Sequence, residues 1–192
     1  MSARTEFTKK WAISPCLAIG VGDWPSGVGD VLIDMDLYRH KNFIQADACH
    51  LPFKSKSFVC VTLEDCIEHM VYPEKAIMEA TRVARERVII TAPWDNRFET
   101  GQHIEAARAE QETPQAKIAL EQWYDWQRTH DGKFIEKFPE EIISHGPTIN
   151  TLSPEWLKTM IAATGWVVKV WEFVPENGTG YYNWLLVIEP DD

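Results

Sequence analysis

The sequence has no long apolar run and comparatively little basic charge. No stretch approaches the ~18 consecutive apolar residues that a membrane-spanning helix needs, and the polar N-terminus has no signal-peptide core. Lys and Arg number 19 against 29 Asp and Glu, which gives a net charge of −10. Nucleic-acid phosphates and anionic membranes are therefore not expected as partners. We expect a soluble cytoplasmic protein whose acidity suits a cationic ligand.

Cysteines are few, and their spacing excludes two common kinds of site. Cys16, Cys49, Cys60 and Cys66 show neither the spacing of metal ligands nor that of a disulfide framework. Cys16 and Cys60 fall inside apolar strand patterns, so we expect buried, reduced thiols and predict no metal site.

The chain also lacks a helix where an α/β fold normally has one. After a first strand, Pro15 to Ile19, residues 20–29 contain four glycines and Pro25 but no 3.6-residue apolar period. The connection from Leu37 to Lys41 is likewise too short for a full helix. The first crossover helix is therefore predicted to be lost or reduced to a turn.

Three short extended segments nevertheless end in the residues that build a crevice for a nucleoside. The first ends at Gly20 and Gly22, the second at Asp34 and Asp36, and the third leads to Asp47. Carboxyl ends of parallel strands meet at one edge of a sheet, where glycines leave room for a ligand and carboxylates accept from ribose hydroxyls and an amine.

The remaining pattern indicates one domain over residues 1–192, with a helical insertion or lid at about 95–150. A chain of this length, 45% apolar and 25% charged, is large enough for its own core. The later elements are predicted as a strand at Phe58–Leu63, a short helical segment at Glu64–Met70, a helix from Pro73 to about Arg85, a strand at Arg87–Thr91, a helix capped by Ser153 with its stop at Gly165, and an antiparallel hairpin of Val167–Phe173 with Trp184–Ile188.

Five motifs in this order resemble the class I S-adenosylmethionine-dependent methyltransferases, of the small-molecule type described as methyltransferase domain 11. The glycine motif is LAIGVG (residues 17–22), and the acid that follows the second strand lies in IDMD (33–36). QADA with LPF and SF (45–58) resembles the stretch gDa…LPF…sFD of the family. CIEH (66–69) resembles vLEH, and EATRV (79–83) resembles the end of the next helix. The resemblance covers residues 15–94 well and residues 145–190 loosely.

The resemblance implies a Rossmann-like α/β fold with a seven-stranded sheet and a C-terminal antiparallel hairpin. It also implies an enzyme that transfers a methyl group from S-adenosylmethionine to a small-molecule acceptor. The family pattern assigns cofactor contacts to the glycine motif, the acids after the strands and the segment after the fourth strand. Asp34 or Asp36 would hold the ribose and Asp47 with Ala48 the adenine. The full set is Gly20, Gly22, Asp34, Asp36, Asp47, Ala48, Glu64, Asp65 and His69.

The catalytic and substrate residues are less defined by the pattern. Methyl transfer needs a general base only if the acceptor is protonated, and His145 is the best candidate for this base, with His69 as the second. His145 would also contact the acceptor. His69 would contact the cofactor or the acceptor, unless it only packs the short helix against the glycine loop. Trp94, Trp123 and Trp126 would line the acceptor pocket if the insertion is a lid. The alternative is that Trp123 and Trp126 have a purely structural role and only pack the insertion against the sheet.

Departures from the pattern leave two other hypotheses open. Ala18 replaces the acidic residue that usually opens the glycine motif, and no third glycine stands near Trp24. A catalytically inactive, cofactor-binding relative acting as a partner or regulator is therefore an alternative. An NAD-dependent oxidoreductase is disfavoured, because the third glycine, its phosphate-binding helix and a second substrate domain are missing.

Overall fold

The computed structural model describes residues 2–23, 25–70, 72–94, 154–175 and 182–191. The predicted helical insertion at about 95–150 and the predicted cap at Ser153 lie outside the described residues.

The centre of the described structure is one seven-stranded sheet. Its order is β3-β2-β1-β4-β5-β7-β6; β1 to β5 are parallel, and β7 is antiparallel to both of its neighbours. The predicted C-terminal hairpin is thus confirmed, and its antiparallel β7 distinguishes the sheet from the six-stranded parallel dinucleotide fold. The strands are β1 Cys16–Ile19, β2 Val31–Asp34, β3 Phe43–Gln45, β4 Phe58–Glu64, β5 Ala84–Trp94, β6 Trp166–Pro175 and β7 Tyr182–Pro190.

Neither of the first two connections contains a helix in its described residues, as predicted. The end of the loop after β1 approaches the sheet closely. A Cβ at Gly29 would come within 2.5 Å of the Leu32 side chain and 2.8 Å of the Ala18 Cβ. Glycine at this position therefore lets the backbone come close to β1 and β2.

One face of the sheet is covered by the two helices that the sequence predicts. Helix α2, Pro73–Val83, begins with proline in its first turn and buries Ala76, Ile77 and Ala80. Helix α3, Pro154–Ala163, buries Leu157 and Ile161, and Gly165 follows it with φ +75°. Between α2 and β4, the residues Ile67–His69 form a short 3-10 helix.

The other face carries a helix that the sequence reading missed. Residues predicted to be a polar lead-in form α1, Ala3–Trp11, whose N-terminus is capped by the Ser2 hydroxyl accepting from the Thr5 N–H. Phe7 and Trp11 pack on Cys16, Cys60, Ile89, Leu185 and Val187. The two aromatic residues lie one helical turn apart and anchor the helix on this face of the sheet.

The cysteines match the sequence prediction in three of four cases. Cys16, Cys60 and Cys66 are buried, whereas Cys49 is partly exposed, and all four are unbridged. Among the described residues, no group of His, Cys, Asp and Glu side chains could hold a metal ion. The same part of the chain contains no helix with the length and apolar character needed to cross a membrane.

Candidate functional site

Strand register brings the predicted site residues to one edge of the sheet. Ile19 pairs with Ile33, and Asp34 pairs with Gln45, so β1, β2 and β3 end side by side. Two backbone hydrogen bonds extend this pairing past the strand ends. The Gly20 N–H donates to the Ile33 carbonyl at 3.0 Å, and the Ala46 N–H donates to the Asp34 carbonyl at 2.9 Å.

Asp34 lies at the middle of this edge. One carboxylate oxygen accepts from the Gly22 N–H at 3.0 Å and the other from the Asp36 N–H at 3.1 Å. Burial raises the pKa of the Asp34 carboxyl, and these two hydrogen bonds oppose the rise. Each carboxylate oxygen can accept a further hydrogen bond, so Asp34 keeps the capacity to bind a diol.

Asp36, the alternative ribose acid, has a different partner. It is hydrogen-bonded to the hydroxyl of Tyr38, whose pKa is raised chiefly by burial and then by the charges of Asp34 and Asp36. The ring of Tyr38 stacks on that of His40, and the His40 Nε2 lies 2.9 Å from the Gly22 carbonyl oxygen. The short β2–β3 connection therefore holds both Asp36 and the glycine loop.

The two glycines of the motif differ in what surrounds them. Both have positive φ, +73° at Gly20 and +53° at Gly22. A Cβ at Gly20 would lie 2.3 Å from the Cβ of Cys66, so glycine there gives room to Cys66. A Cβ at Gly22 would meet none of the described residues within 4 Å. The open space beside the backbone, which the sequence reading expected at both glycines, lies at Gly22.

Asp47 and Ala48 form a turn at the end of β3. The Asp47 carboxylate accepts from the Cys49 N–H at 2.8 Å, its other oxygen lies 3.0 Å from His50 Nδ1, and its side chain stays 44% exposed. Ala48 is buried. The turn is preorganised, and the Asp47 carboxylate remains accessible to an amine donor.

An ion pair on α2 fixes the loop that follows this turn. Arg82 donates to both carboxylate oxygens of Glu79, at 2.6 and 2.7 Å, and to the carbonyls of Phe53 and Leu51 at 2.8 and 3.1 Å. Glu79 in turn accepts from the Leu51 N–H at 2.8 Å. The Arg82 guanidinium lowers the pKa of the Glu79 carboxyl. Leu51 and Glu79, which are 28 residues apart in sequence, are thereby joined in one hydrogen-bond network built on a bidentate ion pair.

The two acids predicted at the end of β4 are both engaged. Glu64 accepts from the Ser26 hydroxyl at 2.8 Å and from the Thr62 hydroxyl at 3.1 Å, and burial raises its pKa. Asp65 forms an ion pair with Arg4 of α1 and accepts from the Thr91 hydroxyl at 3.1 Å. The missed helix α1 therefore delivers a cation to the predicted site.

Two neighbouring side chains of the 3-10 helix complete the edge. Glu68 is 1% exposed, and burial raises its pKa well above the ordinary value. His69 Nε2 lies 3.6 Å from Glu68 Oε1, and the His69 side chain is partly exposed. The sequence reading included His69 in the site and missed Glu68, although a carboxylate within an apolar helical segment is an available signal. Arg4 had no such signal, because α1 itself was not predicted.

The buried thiol of Cys66 marks the point where these acids converge. Its Sγ lies 3.7 Å from the Ile19 carbonyl oxygen, and its β-carbon fills the space at Gly20. Burial raises the pKa of Cys66, and the charges of Glu68, Asp34, Asp65 and Glu64 raise it further, in that order. Acidic side chains therefore lie at the ends of β2 and β4 and in the 3-10 helix, and an acidic edge of this kind favours a cation.

Several predicted residues cannot be placed. His145, Trp123 and Trp126 lie outside the described residues, as does the side chain of Trp94, whose backbone ends β5. Their assignment to catalysis and substrate binding stays a prediction.

Comparison with known proteins adds a family and a set of similar folds. Residues 32–91 match the model of a family described as methyltransferase domain. No curated protein matches the chain.

Solved structures resemble the chain over most of its length. The [4+2]-cyclase SpnF has a TM-score of 0.63 at 12% identity, with 97% of this chain and 80% of that chain covered. A SAM-dependent methyltransferase from Thermotoga maritima has a TM-score of 0.58 at 13% identity, with 96% and 87% covered. A 1,6-didemethyltoxoflavin-N1-methyltransferase from Burkholderia thailandensis has a TM-score of 0.54 at 11% identity, with 92% and 71% covered.

Identities this low show a shared fold. The family model adds the sequence between β2 and β5, which includes Asp34, Asp47 and the 3-10 helix. The match over residues 32–91 and the seven-stranded sheet agree with the resemblance predicted from the motifs: part of the chain has the sequence pattern of a methyltransferase domain, and the described sheet has the fold of the similar structures.

Proposed function

We propose that this protein transfers a methyl group from S-adenosylmethionine to a small-molecule acceptor, with the donor bound across the ends of β1, β2 and β3. The observation that carries the proposal is a carboxylate hydrogen-bond acceptor, Asp34, that lies beside open space at the end of the sheet. Asp34 lies at the middle of the edge, hydrogen-bonded to Gly22, and no other described residue comes within 4 Å of the position that a Cβ at Gly22 would take.

The residues at this edge fit each part of S-adenosylmethionine. Asp34 would accept from the ribose hydroxyls, with Asp36 as the alternative, and the exposed carboxylate of Asp47 would accept from the adenine amine beside Ala48. Glu64 and Asp65 would face the amino-acid end, where their negative charge favours an ammonium and a sulfonium. Similarity to proteins described as SAM-dependent methyltransferases supports the same donor.

Little further chemistry is required of the protein. When bound, S-adenosylmethionine supplies a methyl group already activated by its positively charged sulfur. The chain's own contribution is to hold donor and acceptor in line, about 3 Å apart, and to exclude water from the nucleophile. We assign general-base catalysis to His145 or His69 where the acceptor is a protonated group, and the acceptor pocket to Trp94, Trp123 and Trp126.

A small-molecule acceptor is favoured over a nucleic acid by charge and by similarity. The net charge of −10 disfavours phosphate backbones. The similar Burkholderia thailandensis protein is described with 1,6-didemethyltoxoflavin and S-adenosylhomocysteine bound. An organic molecule of that size class is the kind of acceptor that we propose.

A cofactor-binding protein without transferase activity is the second candidate. The observations that favour it are Ala18, which stands where the glycine motif usually has an acid, and the absence of a helix in the described residues between β1 and β2. The resemblance to a structure described as a cyclase illustrates that one fold can host other chemistry.

Two measurements test the proposal and separate it from its alternatives. Calorimetric titrations with S-adenosylmethionine, S-adenosylhomocysteine and NAD should give heat with the first two alone. Methyl release from labelled donor should then be detected on at least one member of a small-molecule acceptor panel. Donor binding without turnover on any acceptor would favour the non-catalytic relative, and binding of NAD alone would overturn both.

Two aspartate variants test whether the donor binds at this edge of the sheet. Asp34→Asn should weaken binding of S-adenosylhomocysteine, because it removes a charged acceptor from the middle of the edge. Asp30→Asn is the matched control, since Asp30 precedes the same strand and accepts from the Ser14 hydroxyl and the Cys16 N–H, both at 2.7 Å. The control should lower stability and leave affinity unchanged.

A further inference from the structure

An ion pair ties the first helix to the edge of the sheet at which the donor is proposed to bind. Arg4 lies in the first turn of α1, and its guanidinium pairs with the carboxylate of Asp65, the first residue after β4. Both side chains reach the surface, with 26% of Arg4 and 30% of Asp65 exposed. An ion pair at this level of exposure adds little to the stability of a fold, so stability alone does not account for it.

Asp65 is held in an uncommon backbone conformation. Its φ is +48°, in the left-handed region that favours glycine. Two hydrogen bonds to Thr91 of β5 hold it there. The Asp65 N–H donates to the Thr91 carbonyl at 2.9 Å, and the Asp65 carboxylate accepts from the Thr91 hydroxyl at 3.1 Å. Residues held in this way cluster at ligand-binding sites, where the surrounding structure fixes the direction of a side chain.

Strand register places Asp65 beside the glycine loop. Because β1 and β4 are paired neighbours, Gly20 follows β1 at the level at which Glu64 ends β4. Cys66, the residue after Asp65, lies so close to Gly20 that a Cβ at Gly20 would come 2.3 Å from the Cys66 Cβ. The Arg4–Asp65 pair therefore lies at the carboxyl edge of the sheet, one residue along the chain from the side chain that packs on the glycine loop.

The packing of α1 sets the position of Arg4. The Ser2 hydroxyl accepts from the Thr5 N–H and caps the helix. Phe7 and Trp11 anchor the same helix on the sheet. The guanidinium therefore projects from a helix that is fixed on the sheet at one end and paired with Asp65 at the other.

This pair has the charges that the amino-acid end of S-adenosylmethionine requires. That end carries an α-ammonium and an α-carboxylate, and the glycine motif, residues 17–22, contains no charged residue to bind either of them. A carboxylate accepts hydrogen bonds from an ammonium, and a guanidinium donates two parallel N–H bonds to a carboxylate. An acid and a guanidinium side by side are therefore complementary to a zwitterion.

We propose that Arg4 and Asp65 form a clamp for the amino-acid end of the donor, in which Arg4 binds the α-carboxylate and Asp65 binds the α-ammonium. The inference rests on the proposed function and adds α1 to the donor site. Donor and product share this end, so the clamp binds both. It selects nucleosides that carry an amino acid over nucleosides that do not, which makes Arg4 a specificity-determining residue.

Calorimetric titration of the intact protein with four thioether nucleosides tests the clamp. They are S-adenosylhomocysteine, its analogue without the carboxylate, its analogue without the amine, and 5′-methylthioadenosine, which lacks both groups. Removal of either group should weaken binding to the wild-type protein about tenfold or more.

Variants assign each charged group to its partner. Arg4→Gln should weaken binding of S-adenosylhomocysteine about tenfold or more and should not weaken binding of the analogue without the carboxylate. Asp65→Asn should show the same pattern toward the analogue without the amine. Arg4→Lys keeps the charge but not the bidentate geometry, so it should restore part of the affinity that Arg4→Gln loses.

Arg87 provides the matched control, because it fixes the other end of the same helix. It donates to the Trp11 carbonyl at 3.1 Å and pairs with Glu189 at 3.1 Å. Arg87→Gln should lower stability and leave the affinity ratios among the four ligands unchanged. Equal weakening of all four ligands by Arg4→Gln, or weakening of none, would overturn the clamp while leaving the proposed function intact. Failure of the wild-type protein to bind S-adenosylmethionine and S-adenosylhomocysteine would instead refute the proposed function.

A second measurement follows the wild-type protein alone. The NMR signal of the Arg4 Nε–H should shift when S-adenosylhomocysteine or its analogue without the amine is added, and should not shift with 5′-methylthioadenosine. A signal that responds equally to all of these ligands, or to none, would contradict the proposal even if Arg4→Gln or Asp65→Asn did not fold.

Discussion

Replacing either glycine of the loop after β1 by alanine should destabilise the protein to very different extents. Both residues have positive φ, and alanine in that conformation costs about 1–2 kcal/mol. At Gly20 the added Cβ would also lie 2.3 Å from the Cβ and 2.8 Å from the Sγ of Cys66. At Gly22 it would meet nothing within 4 Å in the part of the chain that the structure describes.

The overlap at Gly20 cannot be relieved by rotating a side chain, because it involves the Cys66 β-carbon, which is fixed to the backbone. Overpacking of a buried site costs about 1–3 kcal/mol. We therefore expect Gly20→Ala to lower the free energy of unfolding by about 2–5 kcal/mol and Gly22→Ala by about 1–2 kcal/mol. In ligand binding the order should reverse, because Gly22→Ala fills the space in which the donor is proposed to lie.

Urea denaturation followed by tryptophan fluorescence measures the first effect, and titration with S-adenosylhomocysteine measures the second. A Gly20→Ala/Cys66→Gly double variant should lose less stability than the sum of the single variants, since the overlapping atom is removed. Equal losses for the two alanine variants, with additive behaviour in the double variant, would refute the packing of Cys66 on Gly20.

Three further predictions concern the surroundings of the site. Arg82→Met should lower the free energy of unfolding by about 2–3 kcal/mol, because it removes the bonds to Glu79 and to two loop carbonyls; urea denaturation measures it. Asp34→Asn should weaken S-adenosylhomocysteine binding about 10- to 100-fold by calorimetry, whereas Asp30→Asn should not. The free energy of unfolding of the wild-type protein, relative to that of Glu68→Gln, should fall as pH rises above 4.5, because the raised pKa of Glu68 in the folded state makes this carboxyl ionise more readily in the unfolded chain. Urea denaturation at several pH values measures the difference, and a difference that does not change with pH would contradict the prediction.

The sheet, and the edge at which the predicted site residues meet, were predictable because their signals are local. The apolar run ending at Gly20 and the run ending at Asp34 define strand ends, and parallel neighbours necessarily bring such ends together. The lack of a helix in the described residues between β1 and β2 was also predictable, since glycines and Pro25 interrupt any helical period. Family motifs then indicated which end of the ligand each acid faces.

Helix α1 was not predicted because its apolar signal is only Phe7 and Trp11, one turn apart in an otherwise polar segment. Its N-cap, Ser2, was the available signal. The ion pair of Arg4 with Asp65 joins residues 61 apart and depends on how α1 lies on the sheet, which no local pattern encodes. Likewise, the clash partner of Gly20 is Cys66, which only the tertiary structure identifies.

The most direct test of the donor site follows backbone amide signals by NMR while S-adenosylhomocysteine is added. The account predicts saturable shifts concentrated at Gly22, Asp34 and Ala48, with one affinity shared by all three, and their loss in Asp34→Asn. No saturable change at these residues, or changes confined to another part of the chain, would contradict it.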